Sequence, residues 1–595
     1  MRDKTILIVN ISLPIVFCGV VVWMLMHPTT TSFGIADIRL IYGAIFSAVI
    51  ALLGIARSSV RIELRDILAL VLVLCLCIKS DGNIELISKI TSLIVLYIVA
   101  RVLSSITPAI FKTVVVISIG LCGIYQAIYG IGQLLGMLHS HHSQFVLTGT
   151  FFNPGPYGGF LAVSVCVCLS YLLEQKLSNF NTIENATKSI TYIISATCVA
   201  LCCIVLPATL SRAAIVAVGG SIALLCVYNQ KLHSVLTRIV RSCKSRKSES
   251  CVAVVILITF AILLFWIKRE SAIGRLHIWD ISFRTMISNP MGVGLGRFSG
   301  AFGQMQADFF ANEDTSSLRA YVAGAPEYGF NDIMQIGVEM GLGGVVLLLG
   351  LLIVSLKEIK KCNPLNIGLV TLLIFSFFSY PLNLIPFQII TAIFLGYTEF
   401  HDTKAYSRSR LIISGATMFF CGLLLFLLKS NISTLKTYRD WEYARRWFSM
   451  EFYEYVLEDY PQYYPKLKNN YQYLYEWGYA LHKQGCYERS NTILRQGTLL
   501  SADPMFYNVM GNNYKELGEY DTAESCYFRA YYTLPNRIYP LYLLTKLYAD
   551  KGDAERALEK GCEFLNHPPK VISPATRELQ NEIKQLCDSI NSQKR

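Results

Sequence analysis

The chain has 595 residues, of which 53% are hydrophobic and only 16% are charged, whereas about 25% are charged in an ordinary soluble domain. The apolar residues fall into blocks about as long as a bilayer of ~30 Å hydrocarbon thickness requires, so the composition excludes a soluble protein. The net charge of +12 does not indicate nucleic-acid binding, because most of the excess lies in short loops between apolar blocks.

Thirteen membrane-spanning helices are predicted in chain order, which makes the fold class an all-α polytopic membrane protein. The first span follows a basic N-terminus that has no evident cleavage site for a signal peptide. The third and the twelfth spans are short. The predicted spans are 5–26, 37–56, 66–79, 84–100, 110–132, 157–173, 189–206, 210–228, 251–267, 333–355, 366–380, 384–398 and 411–428.

Basic residues recur in alternate loops between these spans. The loop at 229–250 carries six Lys and Arg residues, and the positive-inside rule assigns it to the cytoplasm. An odd number of spans then puts the N-terminus inside, whereas the loop at 268–332 and the tail after Lys429 lie outside the membrane. The same cytoplasmic side carries Arg57, Arg61, Arg65, Arg101, Lys112 and the basic runs at 357–361 and 403–410.

The tail from 430 to 595 is predicted to be a solenoid of tetratricopeptide repeats. Gly485, Gly518 and Gly552 recur at intervals of 33 and 34 residues, within a pattern of small and large residues that lets paired helices interlock. Such a module either packs on the membrane domain of residues 1–429 or binds a protein partner or acceptor. The repeats are predicted near 470–503, 504–537 and 538–569.

A glycine-rich run in the outer loop at first suggests a nucleotide-binding turn at Gly292, Gly294 and Gly296. Such a turn needs a preceding strand, whereas the residues before this run have helical periodicity. Nucleotides of the cytosol are also absent outside the membrane. We therefore predict an amphipathic helix closed by a glycine loop. One face of the helix carries Leu276, Trp279, Phe283, Met286 and Ile287, and the opposite face carries His277, Asp280 and Arg284.

Two arginines on the outer side are candidate catalytic cations. Arg212 lies at the outer end of the eighth span, where a basic residue outside the membrane is unusual and costs free energy unless it reaches a partner or water. Arg275 lies in the outer loop. Because a guanidinium group binds phosphate oxygens in a bidentate manner, the two side chains would suit an anionic lipid headgroup.

The motifs around these arginines supply the other candidate residues. Asn153 precedes a proline and either makes a turn or contacts a substrate, and Asn331 either caps the next helix or has such a role. Glu327 is either a solvated loop carboxylate or a functional one. The histidines at 139–142 have no carboxylate nearby, so neither a metal site nor a cofactor is predicted. The predicted substrate-binding residues are Asn153, Tyr157, Trp279, Arg297, Asn331 and Asp332.

The order of these motifs resembles the O-antigen ligase and O-antigen polymerase superfamily over about residues 110–400. The motifs are GTFFNP at 149–154, Ser211-Arg212, Arg275 with Trp279, NPMGVGLGRF at 289–298 and VEMGLGG at 338–344. The resemblance implies an all-helical glycosyltransferase at the periplasmic face of a bacterial inner membrane, in lipopolysaccharide or surface polysaccharide biosynthesis. The donor would be a glycan on undecaprenyl pyrophosphate, and the acceptor a hydroxyl of a glycolipid, glycan or protein, with no nucleotide sugar and no obligatory metal.

The resemblance also implies roles for individual residues. Arg212 and Arg275 match the superfamily's pyrophosphate-binding arginines. The ligases usually carry His-Asn before the tenth span, whereas this chain has Phe330-Asn331 and no His over 278–400. We therefore expect Glu327 to act as the general base, since partial burial raises the pKa of a carboxyl towards neutrality.

Several other functions are compatible with parts of the sequence. An O-antigen-type polymerase or a protein O-oligosaccharyltransferase would differ only in the acceptor. A polysaccharide or lipid transporter is a different class, but transporters carry ionisable groups near the middle of the membrane, and these spans are nearly free of them. A mere anchor for the repeat module would need one span rather than thirteen. Membrane lipids are expected partners in every case.

Overall fold

The computed structural model describes residues 2–26, 34–56, 58, 60–174, 183–228, 269–313, 315, 317–357, 359–398, 407–567 and 573–593, and all regular structure in these ranges is helical. The helices up to the outer loop are α1 (Arg2–Leu25), α2 (Ile35–Ile55), α3 (Leu64–Lys79), α4 (Ile84–Ile106), α5 (Pro108–Leu134), α6 (Pro154–Glu174), α7 (Ile183–Val205) and α8 (Arg212–Tyr228). Those of the loop and the following membrane segment are α9 (Arg269–Ser288), α10 (Phe298–Phe310), α11 (Leu318–Val322), α12 (Asp332–Ser355), α13 (Pro364–Ser376) and α14 (Ile385–Gly396). The remaining helices are α15 (Ser407–Ser449), α16 (Tyr453–Leu467), α17 (Tyr471–Lys483), α18 (Tyr487–Thr498), α19 (Met505–Glu516), α20 (Tyr520–Thr533), α21 (Tyr539–Asp550), α22 (Ala554–Asn566) and α23 (Pro574–Gln593).

Seven helices among the described residues are long and apolar enough to cross a membrane, so the chain is a multi-pass membrane protein. Every predicted span within the described ranges coincides with a helix, but several of these helices are short, and the total of thirteen stays a prediction. The predicted span at 251–267 and the basic loop at 229–250 lie outside the described residues. The seven are Ile35–Ile55, Ile84–Ile106, Pro108–Leu134, Pro154–Glu174, Lys188–Thr209, Asp332–Ser355 and Ser409–Ser449.

The chain divides into two compact units, each built from separate stretches of sequence. The first unit comprises Met1–Ile267, Phe330–Ile333 and Gly343–Leu435, and the second comprises Lys268–Gly329, Met334–Leu342 and Lys436–Arg595. The predicted boundary at residue 429 differs from this division, because the outer loop clusters with the C-terminal helices rather than with the membrane helices.

The first unit is centred on α6, which packs against α5, α7, α8 and α13. Small residues permit this close packing, as a Cβ atom on Gly159 would lie 2.3 Å from the Phe375 ring. A second group forms around α4, which packs against α2, α3 and α14. Arg101 differs from its predicted place in a loop, since it is buried within α4 and binds both carboxylate oxygens of Asp66 at 2.9 Å.

The C-terminal part of the second unit consists of helices that pack in consecutive pairs, α17 with α18, α19 with α20 and α21 with α22. Gly485, Gly518 and Gly552 each lie between the two helices of a pair with φ of 73°, 79° and 76°. Glycine suits this left-handed backbone conformation because it has no side chain. A Cβ atom on Gly511 would lie 2.4 Å from Tyr527 of the paired helix. These features agree with the predicted repeat spacing, although the tetratricopeptide assignment itself stays a prediction.

Candidate functional site

Two of the sequence motifs meet in the first unit, at the start of α6 and the start of α8. Asn153 accepts a hydrogen bond from the Gly155 amide at 2.9 Å, which forms a tight turn before α6. A Cβ atom on Gly158 would lie 2.8 Å from the Cβ atom of Ser211. The turn and Arg212, which follows Ser211 and is half-buried, are therefore neighbours.

Tyr157 supports this turn from inside the unit. Its side chain is fully buried, and its hydroxyl donates a hydrogen bond to the Gln126 carbonyl at 2.8 Å. Gln126 in turn donates to the Thr150 hydroxyl at 2.7 Å. These contacts account for Tyr157 as a packing residue, and its predicted contact with a substrate is untested.

The start of α12 holds two more predicted residues of the first unit, Asn331 and Asp332. Asn331 is buried and accepts a hydrogen bond from the Ile333 amide at 3.0 Å, so it caps the helix. The Asp332 carboxylate is also buried, and it accepts hydrogen bonds from the Leu382 amide at 3.1 Å and from the Asn383 side chain at 3.2 Å. Both side chains thus fix backbone where α12 begins.

The second unit contains the outer loop, whose helices α9, α10 and α11 surround an aromatic core. Phe298, Phe302 and Phe310 are buried there with Ile281 of α9 and Leu534 of the C-terminal helices. Arg275 and Trp279 of α9 and Arg297 at the start of α10 are half-buried. The loop is therefore a packed structure that carries three of the predicted residues.

The orientation of α9 differs from the simple amphipathic expectation. His277, on the predicted polar face, is buried between the rings of Phe309 and Phe310, with centroid distances of 5.7 and 5.3 Å. Leu276 and Phe283, on the predicted apolar face, are exposed. The reason is tertiary, because the loop's own core covers the side of α9 that includes Ile281.

His277 is held by Gln306 of α10. The Gln306 amide group donates hydrogen bonds to the carbonyls of Gly324 at 3.0 Å and Thr533 at 2.6 Å, so its oxygen is the atom that faces His277 Nε2 at 3.0 Å. His277 therefore carries its proton on Nε2. Burial lowers the pKa of His277 below its ordinary value, which keeps the imidazole neutral.

The glycine loop after α9 forms hydrogen bonds with α12 at a point where that helix is broken. Gly341 has a φ of 76° inside α12, which interrupts the helical hydrogen-bond ladder. The Val338 carbonyl accepts from the Val293 amide at 2.9 Å, and the Leu342 amide donates to the Pro290 carbonyl at 3.0 Å. In an unbroken helix the Leu342 amide would donate to the Val338 carbonyl. The glycine loop therefore supplies hydrogen-bond partners to the two backbone groups that the break separates.

Glu339 is the buried carboxylate next to this break. Its side chain accepts a hydrogen bond from the Gly296 amide at 3.2 Å, and its backbone carbonyl accepts from the Gly294 amide at 2.9 Å. Arg297 follows directly in sequence, so Glu339 fixes the loop that presents it. The sequence contained the carboxylate, but nothing local indicated that it would contact a loop 43 residues away.

Glu327 has a different environment from the one expected of a desolvated base. Its side chain is exposed, and it accepts a hydrogen bond from the Tyr471 hydroxyl at 2.7 Å. Burial and this bond to the carboxylate raise the pKa of Tyr471, so the phenol stays protonated and donates. Tyr471 belongs to the C-terminal helices and was not among the predicted residues.

One comparison with known proteins bears on this site. The family model described as O-Antigen ligase matches residues 197–349. The match includes Arg212, Arg275, Arg297, Glu327 and Glu339, and it supports the O-antigen ligase superfamily and an O-antigen ligase-like function in glycan transfer. A search of curated proteins gave no match.

Proposed function

We propose that this chain transfers a glycan from an undecaprenyl-pyrophosphate carrier to an acceptor hydroxyl at the periplasmic face of a bacterial inner membrane. The observation that carries the proposal is the O-antigen ligase match over 197–349, because it includes both Arg212 and Arg275. The multi-pass helical architecture is suited to a membrane, which is where a lipid-linked donor resides. The acceptor assigned here is a glycolipid, as in the assembly of lipopolysaccharide.

The two arginines would act on the leaving group. The acceptor oxygen forms a bond to the anomeric carbon as the bond from that carbon to the pyrophosphate oxygen breaks, and the electron pair leaves with the lipid pyrophosphate. Guanidinium groups of Arg212 and Arg275 would bind the phosphate oxygens and neutralise the charge that develops there. This chemistry requires no metal ion.

A base must accept the proton of the acceptor hydroxyl, and two carboxylates are candidates. Glu327 is exposed and therefore accessible to an acceptor hydroxyl, and its hydrogen bond from Tyr471 fixes the direction of one oxygen. Glu339 is buried and holds backbone amides of the glycine loop instead. We therefore assign the base to Glu327 and a positioning role to Glu339.

Reconstituted protein with a lipid-linked glycan donor and a glycolipid acceptor tests this proposal. Removing one charge-stabilising donor from an active site typically costs 10²–10³-fold in rate, so Arg275→Ala and Arg212→Ala should each lose transfer by about that factor. Arg319→Ala is the matched control, since Arg319 is an exposed arginine of the same loop that pairs with Asp280 at 3.0 Å. Full transfer by both arginine variants would refute the assignment.

Deletion of the gene in its host distinguishes the possible acceptors. Loss of polymer from the surface glycolipid, with accumulation of lipid-linked glycan, is the result expected for a ligase. If the series of glycan lengths on a gel is reduced to a single repeat unit, the chain is a polymerase. Loss of glycan from proteins would indicate an oligosaccharyltransferase. Unchanged glycans of all three kinds would contradict glycan transfer.

A further inference from the structure

One face of α9 carries apolar side chains that remain exposed. Leu276, Phe283 and Ile287 are 51%, 46% and 58% exposed, and they are spaced by seven and four residues. This spacing puts them in one line on a helix of 3.6 residues per turn. Met291, in the loop after the helix, is also apolar and is 77% exposed. These four residues are called the α9 stripe below.

The stripe continues onto a helix that is apolar enough to cross a membrane. The Pro290 carbonyl, next to Met291 in sequence, accepts a hydrogen bond from the Leu342 amide of α12 at 3.0 Å. The Leu342 side chain is itself 49% exposed. Because α12 is one of the seven candidate spans, we expect this end of the stripe to lie at a bilayer surface rather than in bulk water.

Two residues beside the stripe are of types that favour a membrane interface, and the third, Asp280, is an acid whose carboxylate forms ion pairs with Arg284 and Arg319. Trp279 lies on one flank, and indole rings concentrate at the level of lipid headgroups. Arg284 lies on the other flank, where its side chain is 51% exposed and forms an ion pair with Asp280 at 3.2 Å. Helices that lie in the plane of a membrane interface share this arrangement of large apolar residues on one face and basic residues beside them.

We propose that α9 is an interfacial helix whose stripe is immersed in the outer leaflet of the membrane. The apolar side chains would enter the boundary between headgroups and acyl chains, to a depth of about 5–10 Å. The partner is a phospholipid surface, not a protein. Arg275 lies on the same helix, so the stripe would hold this guanidinium at the depth of lipid phosphates. That last consequence depends on the proposed transfer function, whereas the immersion of α9 does not.

Spin labels on the full-length protein in lipid nanodiscs test the proposal without any substrate. Nitroxides at Phe283→Cys and Ile287→Cys should collide with oxygen, which dissolves in the acyl region, several-fold more than with a water-soluble nickel chelate. Asn312→Cys is the control, because Asn312 is an exposed polar residue after α10. The unsubstituted protein, labelled in parallel, gives the signal of the native cysteines for subtraction.

Two results would overturn the proposal. Equal oxygen-to-nickel ratios at Ile287 and Asn312 would show that the stripe faces water. Immobile labels shielded from both reagents would show that protein covers it. The positions are exposed, so the substitutions leave the core of the unit intact, and circular dichroism checks that the variants fold. Transfer is measured separately on unlabelled protein, so a failure of the glycan-transfer proposal is recognised independently.

Discussion

Gly292 and Gly341 approach so closely that a Cβ atom on Gly292 would lie 2.4 Å from the Gly341 backbone nitrogen. Both have a positive φ, of 80° and 76°. The contact joins the glycine loop of the outer segment to the break in α12. The contact explains why two motifs that are distant in sequence both need glycine. The two backbones pack directly against each other and leave no space for a side chain on either.

This contact predicts the effect of adding one methyl group. Gly341→Ala combines left-handed strain with a Cβ atom 2.2 Å from the Pro290 carbonyl oxygen, so we expect a loss of at least about 2 kcal/mol in stability. Gly343→Ala, two residues later, meets no atom within 4 Å and is the control. Thermal unfolding in detergent measures the difference. Equal midpoints for the two variants would contradict the close packing.

Glu339 should affect substrate binding more than stability. Glu339→Gln keeps the side-chain shape but exchanges the carboxyl oxygen that accepts from the Gly296 amide for a weaker amide acceptor, a change of about 1 kcal/mol. We expect the KM for the lipid-linked donor to rise by up to about tenfold, because the loop before Arg297 loosens. The thermal midpoint of the variant should stay close to that of the unsubstituted protein. A large fall in kcat with unchanged KM would instead indicate a catalytic role.

Asn536 attaches the end of the outer loop to the C-terminal helices. Its amide group donates to the carbonyls of Ala320 at 3.2 Å, Tyr321 at 3.0 Å and Ala323 at 2.8 Å. Asn536→Ala removes the side-chain donor that these three carbonyls share, at a cost of about 2–3 kcal/mol. Limited proteolysis should then cut near residues 311–323 sooner than in Asn469→Ala, an exposed control. Identical digestion patterns would mean that the loop is held by other contacts.

The burial of His277 predicts that the stability of the second unit depends on pH. Because its folded pKa is lowered by burial, the unfolded state binds a proton first as the pH falls. The free energy of unfolding is therefore at its full value above the ordinary histidine pKa of about 6.5, and it declines below that pH. The pKa values of His482 and His567 are lowered for the same reason, so His277→Gln should remove only part of the decline. Unfolding curves between about pH 5 and 7.5 measure it. An unchanged pH profile would show that His277 is not desolvated.

Phe330 stands where the ligases that this chain resembles carry a histidine, and its φ is 46°. A bulky residue in this region is strained, whereas histidine adopts it more readily. Phe330→His should therefore fold. If Glu327 is the base, Glu327→Gln should lose transfer, and the double variant should regain part of it with a dependence on the histidine pKa. Full transfer by Glu327→Gln alone would exclude the carboxylate as the base.

Hydrophobic patterning was sufficient for much of the fold. Helices α2, α5 and α6 coincide with predicted spans within a few residues, because a bilayer span needs a long apolar run that is visible locally. The recurrence of glycine in the tail likewise marked the turns between α17 and α18 and between α19 and α20. The candidate arginines were found by sidedness and by motif order, which are also properties of the sequence.

The sequence by itself therefore determined most of the helices among the described residues and the chemical types of the candidate side chains. Only the tertiary structure decided which residues meet. Tyr471 reaches Glu327 across 144 positions, and Glu339 holds the Gly296 amide. The tertiary structure also decided which side of α9 is exposed. The physical reason is that periodicity records the polarity of each face, whereas the partner of a hydrogen bond or a buried face depends on chain segments brought together only on folding.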